Sequence, residues 1–323
     1  MTLSRREALF ATFGAMMLPS LGWAQEYPTK AIRIIVTFPA GGGTDIIARV
    51  VMNQVGTELK STLVIDNRGG AGGTIGTDAL AKADPDGYTF GVVSASHAVN
   101  PSLYKNLPFD AITSFAPVTI LATAPGVLVI NPSLPVANVK ELIALAKSKP
   151  GELDYASAGN GTPPHLAAEL FKVMAGVDMN HVPYQGNGAA MIDLISGRVS
   201  LSFPTLPSAL PHIRSGKLRA LAVTGLHRVE SLPDVPTIDE AALKGYDASS
   251  WYAVLAPAGT PVEFIDNMQQ AIAKSLQAPE VKKRFALEGL EPSGIAPEEF
   301  GKILQSEVTK WAGVVKASGA KLE

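Results

Sequence analysis

The chain has 323 residues, 46% of them hydrophobic and 17% charged, with a formal net charge of -2. That length and apolar content allow a sizeable core and two domains, and exclude a chain too polar to fold. With no Lys/Arg-rich run there is no footprint for nucleic acid or an anionic membrane surface, and with no cysteine there are no disulfides, thiolate metal sites or cysteine nucleophiles.

The first predicted element is residues 1–24. It opens on Arg5 and Arg6, continues through an apolar run from Ala8 to Leu18, and ends on Gly22, Trp23 and Ala24 after Pro19. This is the layout of a secretory signal peptide, cleaved after about Ala24. A membrane anchor is the alternative, but the run is shorter than the roughly 20 residues that span a bilayer, and Pro19 interrupts it. Export to the periplasm is expected. "SRR" suggests the twin-arginine route and "EALF" argues against it, so the route stays open. Without a lipobox cysteine the exported protein is expected to be unattached.

From there strand and helix patterns alternate, the signature of an α/β fold. "AIRIIVTF" is a β-branched run suited to a buried parallel strand. Ile47, Val51 and Val55, with Ile46 and Val50, make an apolar face at helical spacing. "STLVIDN" reads as a strand, "GGTIGTDALAKAD" as a helix and "YTFGVVS" as a strand, which completes a βαβαβ unit near Ser94. A second cycle starts at "PGVLVINP". Asn138 and Glu141 open the helix "VKELIALAKSK" in a capping-box-like arrangement. "LDYAS", "MNHVPY", "VSLSF" and "LRALAVT" are strands, and "HLAAELFKVMAG" and "GAAMIDLISG" are helices. After "SSWYAVLAPAGTP" the pattern is mostly helical, and these closing helices must pack on a sheet already formed.

The architecture expected is two doubly wound α/β lobes with a cleft between them, joined by two crossing segments near Thr119–Gly126 and Tyr246–Trp251. Lobe 1 takes residues 25–122 plus 247–323 and lobe 2 takes 123–246. A single continuous sheet is the alternative that periodicity leaves open.

In open α/β sheets ligands sit beyond the carboxyl ends of the strands. "FPAGGGTD" runs from a strand into a helix, so amides from Gly41 to about Ile46 are expected at the positive end of the helix dipole, ready for an anion. A tight turn with Thr44 as N-cap is the plainer reading, and the two are compatible. "YASAGNGTPPHLAAELF" repeats the arrangement: Thr162 is a candidate N-cap, and Pro163 suits the first helical position. Pro163 and Pro164 have no amide hydrogen, so donors must come from Ala158 to Thr162 and from the hydroxyls of Ser157 and Thr162. Asp45, in the first helical turn, either stabilises the helix or contacts a ligand that also carries an ammonium or hydroxyl group. "NRGGAGGTIG" is not G-x-G-x-x-G, and no P-loop occurs, so no nucleotide cofactor is expected. Arg68 could pair with a ligand carboxylate or form a salt bridge between elements.

None of the five histidines has a metal-ligand spacing. His165 stands three residues past the N-cap and either faces the cleft or serves the helix start. Ser94, His97 and Asp45 can be written as a hydrolytic triad, but no G-x-S-x-G elbow supports one. Tyr184 and Gln185 end a strand and either face the cleft or join the core. Trp251 is expected to pack at the hinge.

"YPTKAIRIIVTFPAGGGTDIIAR", "NRGGAGGTIG", "YASAGNGTPPHLAAELF", "HVPYQG", "LPDVPT" and "WYAVLAPAGTP", in that order, resemble the periplasmic solute-binding receptors of tripartite tricarboxylate transporters, the Bug receptors. The resemblance covers essentially the whole chain after residue 24. It implies a type II periplasmic-binding-protein fold closing on a small carboxylated solute, held by backbone amides, hydroxyls and water. It implies ligand contacts from Phe38, Ala40, Gly41, Thr44 and Asp45, from Ser157, Gly159, Thr162 and His165, and from Tyr184 and Gly186, with Ser94 to His97 tuning specificity. It also implies a monomeric, non-enzymatic receptor that serves membrane transporter subunits. A sensory receptor presenting its liganded form to a signalling partner is the alternative, and a hydrolase using Ser94, His97 and Asp45 is another.

Overall fold

The computed structural model describes residues 27–41, 43–184, 186–287 and 289–318. The expected signal peptide and Gln185 lie outside the described residues.

The first cycle forms β1 (Ile32–Val36), α1 (Gly43–Glu58), β2 (Leu63–Asn67), α2 (Thr74–Ala81), β3 (Thr89–Ser94), α3 (Ser96–Leu103) and β4 (Phe115–Ala124). The second forms β5 (Val127–Ile130), α4 (Val139–Ser148), β6 (Asp154–Ser157), α5 (Pro163–Ala175), β7 (Asn180–Pro183), α6 (Asn187–Ser196), β8 (Leu201–Ser202), α7 (Leu206–Arg214), β9 (Arg219–Val223) and α8 (Ile238–Ala241). The closing segment adds β10 (Ser250–Pro257), α9 (Val262–Ser275), α10 (Pro279–Leu287), β11 (Glu291–Pro292) and α11 (Pro297–Ser318).

The strands make two sheets, in the orders β11-β4-β10-β3-β1-β2 and β7-β6-β8-β5-β9. In each, three neighbouring strands run parallel, β2-β1-β3 in lobe 1 and β7-β6-β8 in lobe 2. Parallel strands need a crossover, and each crossover here is a helix. The β-branched composition of β1 follows from its place: Ile32, Ile34, Ile35 and Val36 are all fully buried in the middle of the sheet. Local signals read from the chain hold in lobe 2. The Asn138 side chain accepts from Glu141 N at 3.0 Å, while the Glu141 carboxylate reaches back to Ala137 N. Gly176 ends α5 with φ 61°.

The crossing segments adjoin the ends of two long antiparallel strands, β4 and β10, paired with each other inside the first sheet. β4 stays paired as far as Ala124, so the chain leaves the first sheet at residues 125–126, inside the expected Thr119–Gly126 segment. Gly126 N then donates to Thr224 Oγ1, and Ala248 N donates to Thr224 O, which lays the two crossings side by side. α3 and α7 were not expected, since each carries an internal proline, Pro101 and Pro211.

α9, α10 and α1 cover one face of the first sheet, and α6 and α7 cover one face of the second. The remaining apolar cluster is continuous between the lobes, running from Val99 and Trp311 to Leu166 and Phe171. α11 packs on α3 and β4 in lobe 1 and on α5 in lobe 2, so the closing helix bridges the hinge.

One close approach fixes the lobe-1 turns. A Cβ on Gly76 would lie 2.8 Å from Thr37 Cα and 2.6 Å from Arg68 O. Both are backbone atoms that cannot step aside. Gly76→Ala is therefore expected to lower unfolding stability by about 1–3 kcal/mol, as overpacking does, checked by urea denaturation. A stability unchanged from wild type would show that α2 can move away freely.

Candidate functional site

Because β2, β1 and β3 point the same way, α2, α1 and α3 all begin at one edge of the first sheet. α6, α5 and α7 likewise begin at one edge of the second, after β7, β6 and β8. Each lobe thus presents three helix N-termini with their partial positive charge. The two sets meet. Ser96, after β3, and Gly161, after β6, line one small cavity of about 20 Å³ together with Val99, Leu166, Ser249 and Trp311. That is room for about one water between the lobes.

In lobe 1 the turn after β1 is organised by Asp45. Its carboxylate, 2% exposed, accepts from Gly41 N at 2.8 Å, Arg49 Nε at 3.0 Å and Asn67 Nδ2 at 2.9 Å. Asn67 Nδ2 also donates to Phe38 O, and Arg49 Nη2 donates to Asn67 Oδ1, which closes a ring of hydrogen bonds around the turn. Burial opposes ionisation of Asp45, but the hydrogen bonds from Arg49, Gly41 and Asn67 outweigh it and hold the carboxyl below its ordinary pKa. Asn67 reaches this place because β1 and β2 pair in register, with Val36 opposite Asn67.

This corrects two expectations. The Gly41 amide is not free for a ligand, because the carboxylate four residues on already takes it. Thr44 is not an N-cap: α1 starts at Gly43, and Thr44 lies buried in its first turn. Gly41 itself has φ 80°, a backbone state that other residues resist.

The stretch Arg68–Gly76 buttresses this turn. A Cβ on Gly69 would lie 2.5 Å from Pro39, and one on Gly73 would lie 3.2 Å from the Phe38 ring. Gly72 O accepts from Ser96 Oγ at 3.2 Å and from Asn100 Nδ2 at 3.1 Å, and Ser96 Oγ lies 2.9 Å from Ser94 Oγ. Ala40 is exposed at the tip. Arg68 pairs with Asp66 at 3.0 Å, the inter-residue use rather than a ligand contact.

In lobe 2 the turn after β6 is held from beneath. Gly161 N donates to His165 Nδ1 at 3.0 Å, and Ser157 Oγ lies 2.6 Å from His181 Nε2. Gly159 N donates to Ser157 Oγ at 3.1 Å, and Thr162 Oγ1 donates to Gly159 O at 2.7 Å. Thr162 stands at the N-cap, yet its hydroxyl closes the glycine turn instead of capping α5. His165 is 5% exposed, and its Nδ1 is turned to its own turn.

Tyr184 packs partly buried against the lobe-2 core; its hydroxyl donates to Asp193 Oδ2 at 2.8 Å, while its backbone N donates to Ser157 O. Gly186 caps α6 with φ 99° and donates to Ala158 O. Beside it, Asn187 Nδ2 lies 3.4 Å from Thr205 Oγ1 and 3.3 Å from Ser208 Oγ, and these two hydroxyls are 2.8 Å apart. Thr205 and Ser208 were missed because the prolines of "TLPSALPHIR" hid the helix they begin.

The hydrolytic arrangement does not form. His97 is 2% exposed between Phe109 and Phe115, with Nε2 on Ala111 O at 2.8 Å. Burial pushes its pKa down to about 4. Ser94 contacts Ser96, and Asp45 is engaged in the ring described above, so the three side chains have separate partners. His97 is core, set there by the helical phase of α3. Among the described residues no cluster of His, Asp and Glu could hold a metal ion.

A family model described as the tripartite tricarboxylate transporter family receptor matches residues 47–320. Protein BugT of Bordetella pertussis is 40% identical over 302 residues, which cover 93% of either chain. Among solved structures, an R. palustris protein with adipate has 37% identity and a TM-score of 0.75, covering 92% of this chain and 100% of that one. The periplasmic binding protein BugD has 35% identity and a TM-score of 0.72 with the same coverage. MatC from Rhodopseudomonas palustris, solved with bound malate, has 30% identity and a TM-score of 0.71, covering 90% of this chain and 100% of that one.

Proposed function

The chain belongs to the tripartite tricarboxylate transporter receptor family, and on that premise we propose that it captures a small carboxylate in the periplasm and hands it to the membrane subunits of such a transporter. The observation that carries this reading is the meeting of two helix N-termini, one from each lobe, with Ser96 and Gly161 on one interlobe wall. The neighbours solved with adipate and with malate support the ligand class.

The energetics are sufficient. A helix N-terminus contributes about 0.3–1 kcal/mol per charge, and each charge-assisted hydrogen bond about 1.5–3 kcal/mol. Several of these, less desolvation and closure, reach the roughly -8 kcal/mol of micromolar binding. The Gly41, Gly159 and Gly161 amides have partners within their own turns. Donors to a bound carboxylate would therefore come from the remaining turn amides, from hydroxyls such as Ser96 and Thr205, and from ordered water. Arg49 and Arg68, beside the lobe-1 turns, are both in ion pairs. A site of this kind avoids the desolvation cost of a buried lysine or arginine.

The test is a thermal-shift panel of mono-, di- and tricarboxylates, including malate, adipate and citrate, on protein unfolded and refolded to strip any bound solute. A ligand present at 100 times its Kd stabilises by about 2.7 kcal/mol, a rise of several degrees. No response to any carboxylate, with a clear response to uncharged solutes, would overturn the ligand class.

A further inference from the structure

Beneath the lobe-2 turn lies a column of rings that the ligand reading does not use. His165 and His181 stack with centroids 4.1 Å apart and planes 13° from parallel, and the Tyr155 ring lies 4.9 Å from His181 and 6.5 Å from His165, nearly parallel to both. Lys172 Nζ lies 5.7 Å from the centroid of the Tyr155 ring. Tyr155 OH donates to Glu169 Oε1, and Lys172 pairs with the same oxygen at 3.0 Å, so the charges at this end satisfy each other. At the other end the two imidazoles touch the turn at separate points, His165 on Gly161 N and His181 on Ser157 Oγ.

We propose that His165 and His181 are positioning residues for the ligand turn: a stacked pair of neutral imidazoles that shapes Ser157–Thr162 before solute arrives. The inference rests on the carboxylate-receptor reading for what the turn binds, but the hold on the turn is a property of the protein alone. Stacking fixes the ring planes, and the two nitrogen contacts fix where the turn stands above them. A turn already ordered loses less conformational freedom when ligand binds.

The chemistry fixes the protonation state. His165 Nδ1 accepts from an N–H, so it carries no proton, and the ring's hydrogen sits on Nε2. An imidazolium has only donors and would expel the Gly161 amide. The surroundings agree. Burial, then His165 and Lys172, push the His181 pKa down to about 4. Burial lowers that of His165 against the pull of Glu169, with Lys172 adding to the lowering. Tyr155 on β6 and Glu169 and Lys172 on α5 are the other titratable groups around the pair.

Substitutions can separate the nitrogens from the stacking. Phenylalanine keeps a stacked ring and deletes the polar contact. Asparagine places an amide oxygen near where Nδ1 stood, and glutamine places its amide near Nε2. His165→Phe and His181→Phe are expected to weaken binding roughly tenfold, the scale of one lost hydrogen bond that orders the turn. His165→Asn and His181→Gln are expected to stay within about threefold of wild type. The probes are malate, adipate and citrate, by calorimetry. Hydrogen exchange without ligand should show the Gly161 amide protected in wild type and faster in His165→Phe.

Phe variants that bind as wild type does, or amide variants that lose as much as the Phe variants, would overturn the proposal. A measurement needing no variant also decides it: imidazole nitrogen resonances at neutral pH should show His165 neutral with its proton on Nε2, and a charged ring or the other tautomer defeats the idea. Wild-type protein that binds none of the three acids counts against the carboxylate reading itself, a failure visible apart from that of the histidines.

Discussion

Asp45→Ala is expected to weaken carboxylate binding by about ten- to a hundredfold, the largest loss of affinity from any single side chain of lobe 1. Two effects compete. Removing a carboxylate near an anion site relieves repulsion, but Arg49 pairs with Asp45 at 3.0 Å and makes the couple neutral overall, so there is little repulsion to relieve. Against this stands the loss of order. Asp45 is the common acceptor for Gly41 N, Arg49 Nε and Asn67 Nδ2. Each such hydrogen bond to a charged group is worth about 1.5–3 kcal/mol where it is desolvated. Arg49 is half exposed and recovers its share from water, so the effective loss is one or two bonds. Asp45→Asn keeps an acceptor for Gly41 and should fall between alanine and wild type. Calorimetry with malate, adipate and citrate decides it, and an alanine variant that binds as tightly as wild type, or tighter, would mean that repulsion outweighs order.

Glu307→Ala carries the largest expected loss of stability. Glu307 lies on α11, 8% exposed, and its Oε2 accepts from Trp311 Nε1 at 2.9 Å and from Trp251 Nε1 at 3.4 Å. Its other oxygen pairs with Lys310, whose Nζ also donates to Asp247 O at 3.1 Å, beside the crossing into β10. Alanine leaves two buried indole N–H groups and a mostly buried ammonium without this partner. Breaking a buried pair costs about 3–5 kcal/mol. Lys310 is a quarter exposed and regains some hydration, so about 2–3 kcal/mol is expected. That lowers the melting temperature by roughly 3–5 °C. Glu307→Gln keeps an acceptor for Trp311 and should lose about half as much. Calorimetric melting of the three proteins tests this, and a Glu307→Ala midpoint within a degree of wild type would show that the network is incidental. Because α11 touches both lobes, the variant should also change ligand affinity.

The sequence carried much of this. The βαβ alternation, the cap at Asn138, the stop at Gly176 and the glycine turns after β1 and β6 are local signals, and a local signal needs only neighbouring residues to act. Trp251 was also placed correctly: it is 3% exposed against Phe300 at the hinge. The missed elements β4, α3 and α7 share a cause. Pro117 in β4, Pro101 in α3 and Pro207 and Pro211 in α7 broke the periodicity, and tertiary packing keeps these elements in spite of their prolines.

What the sequence alone determined is the kind of protein: an α/β chain of two linked cycles with bare backbone where strands become helices, recognisable as a receptor of its family. What only the tertiary structure decided is which polar groups in those turns already have partners. Asn67 meets Asp45 through the pairing of β1 with β2, and His181 meets Ser157 through the pairing of β6 with β7. Those partners stand 22 and 24 residues apart in the chain. A hydrogen bond depends on distance in space, and sheet register sets that distance across separations where nothing in the local pattern marks the partner.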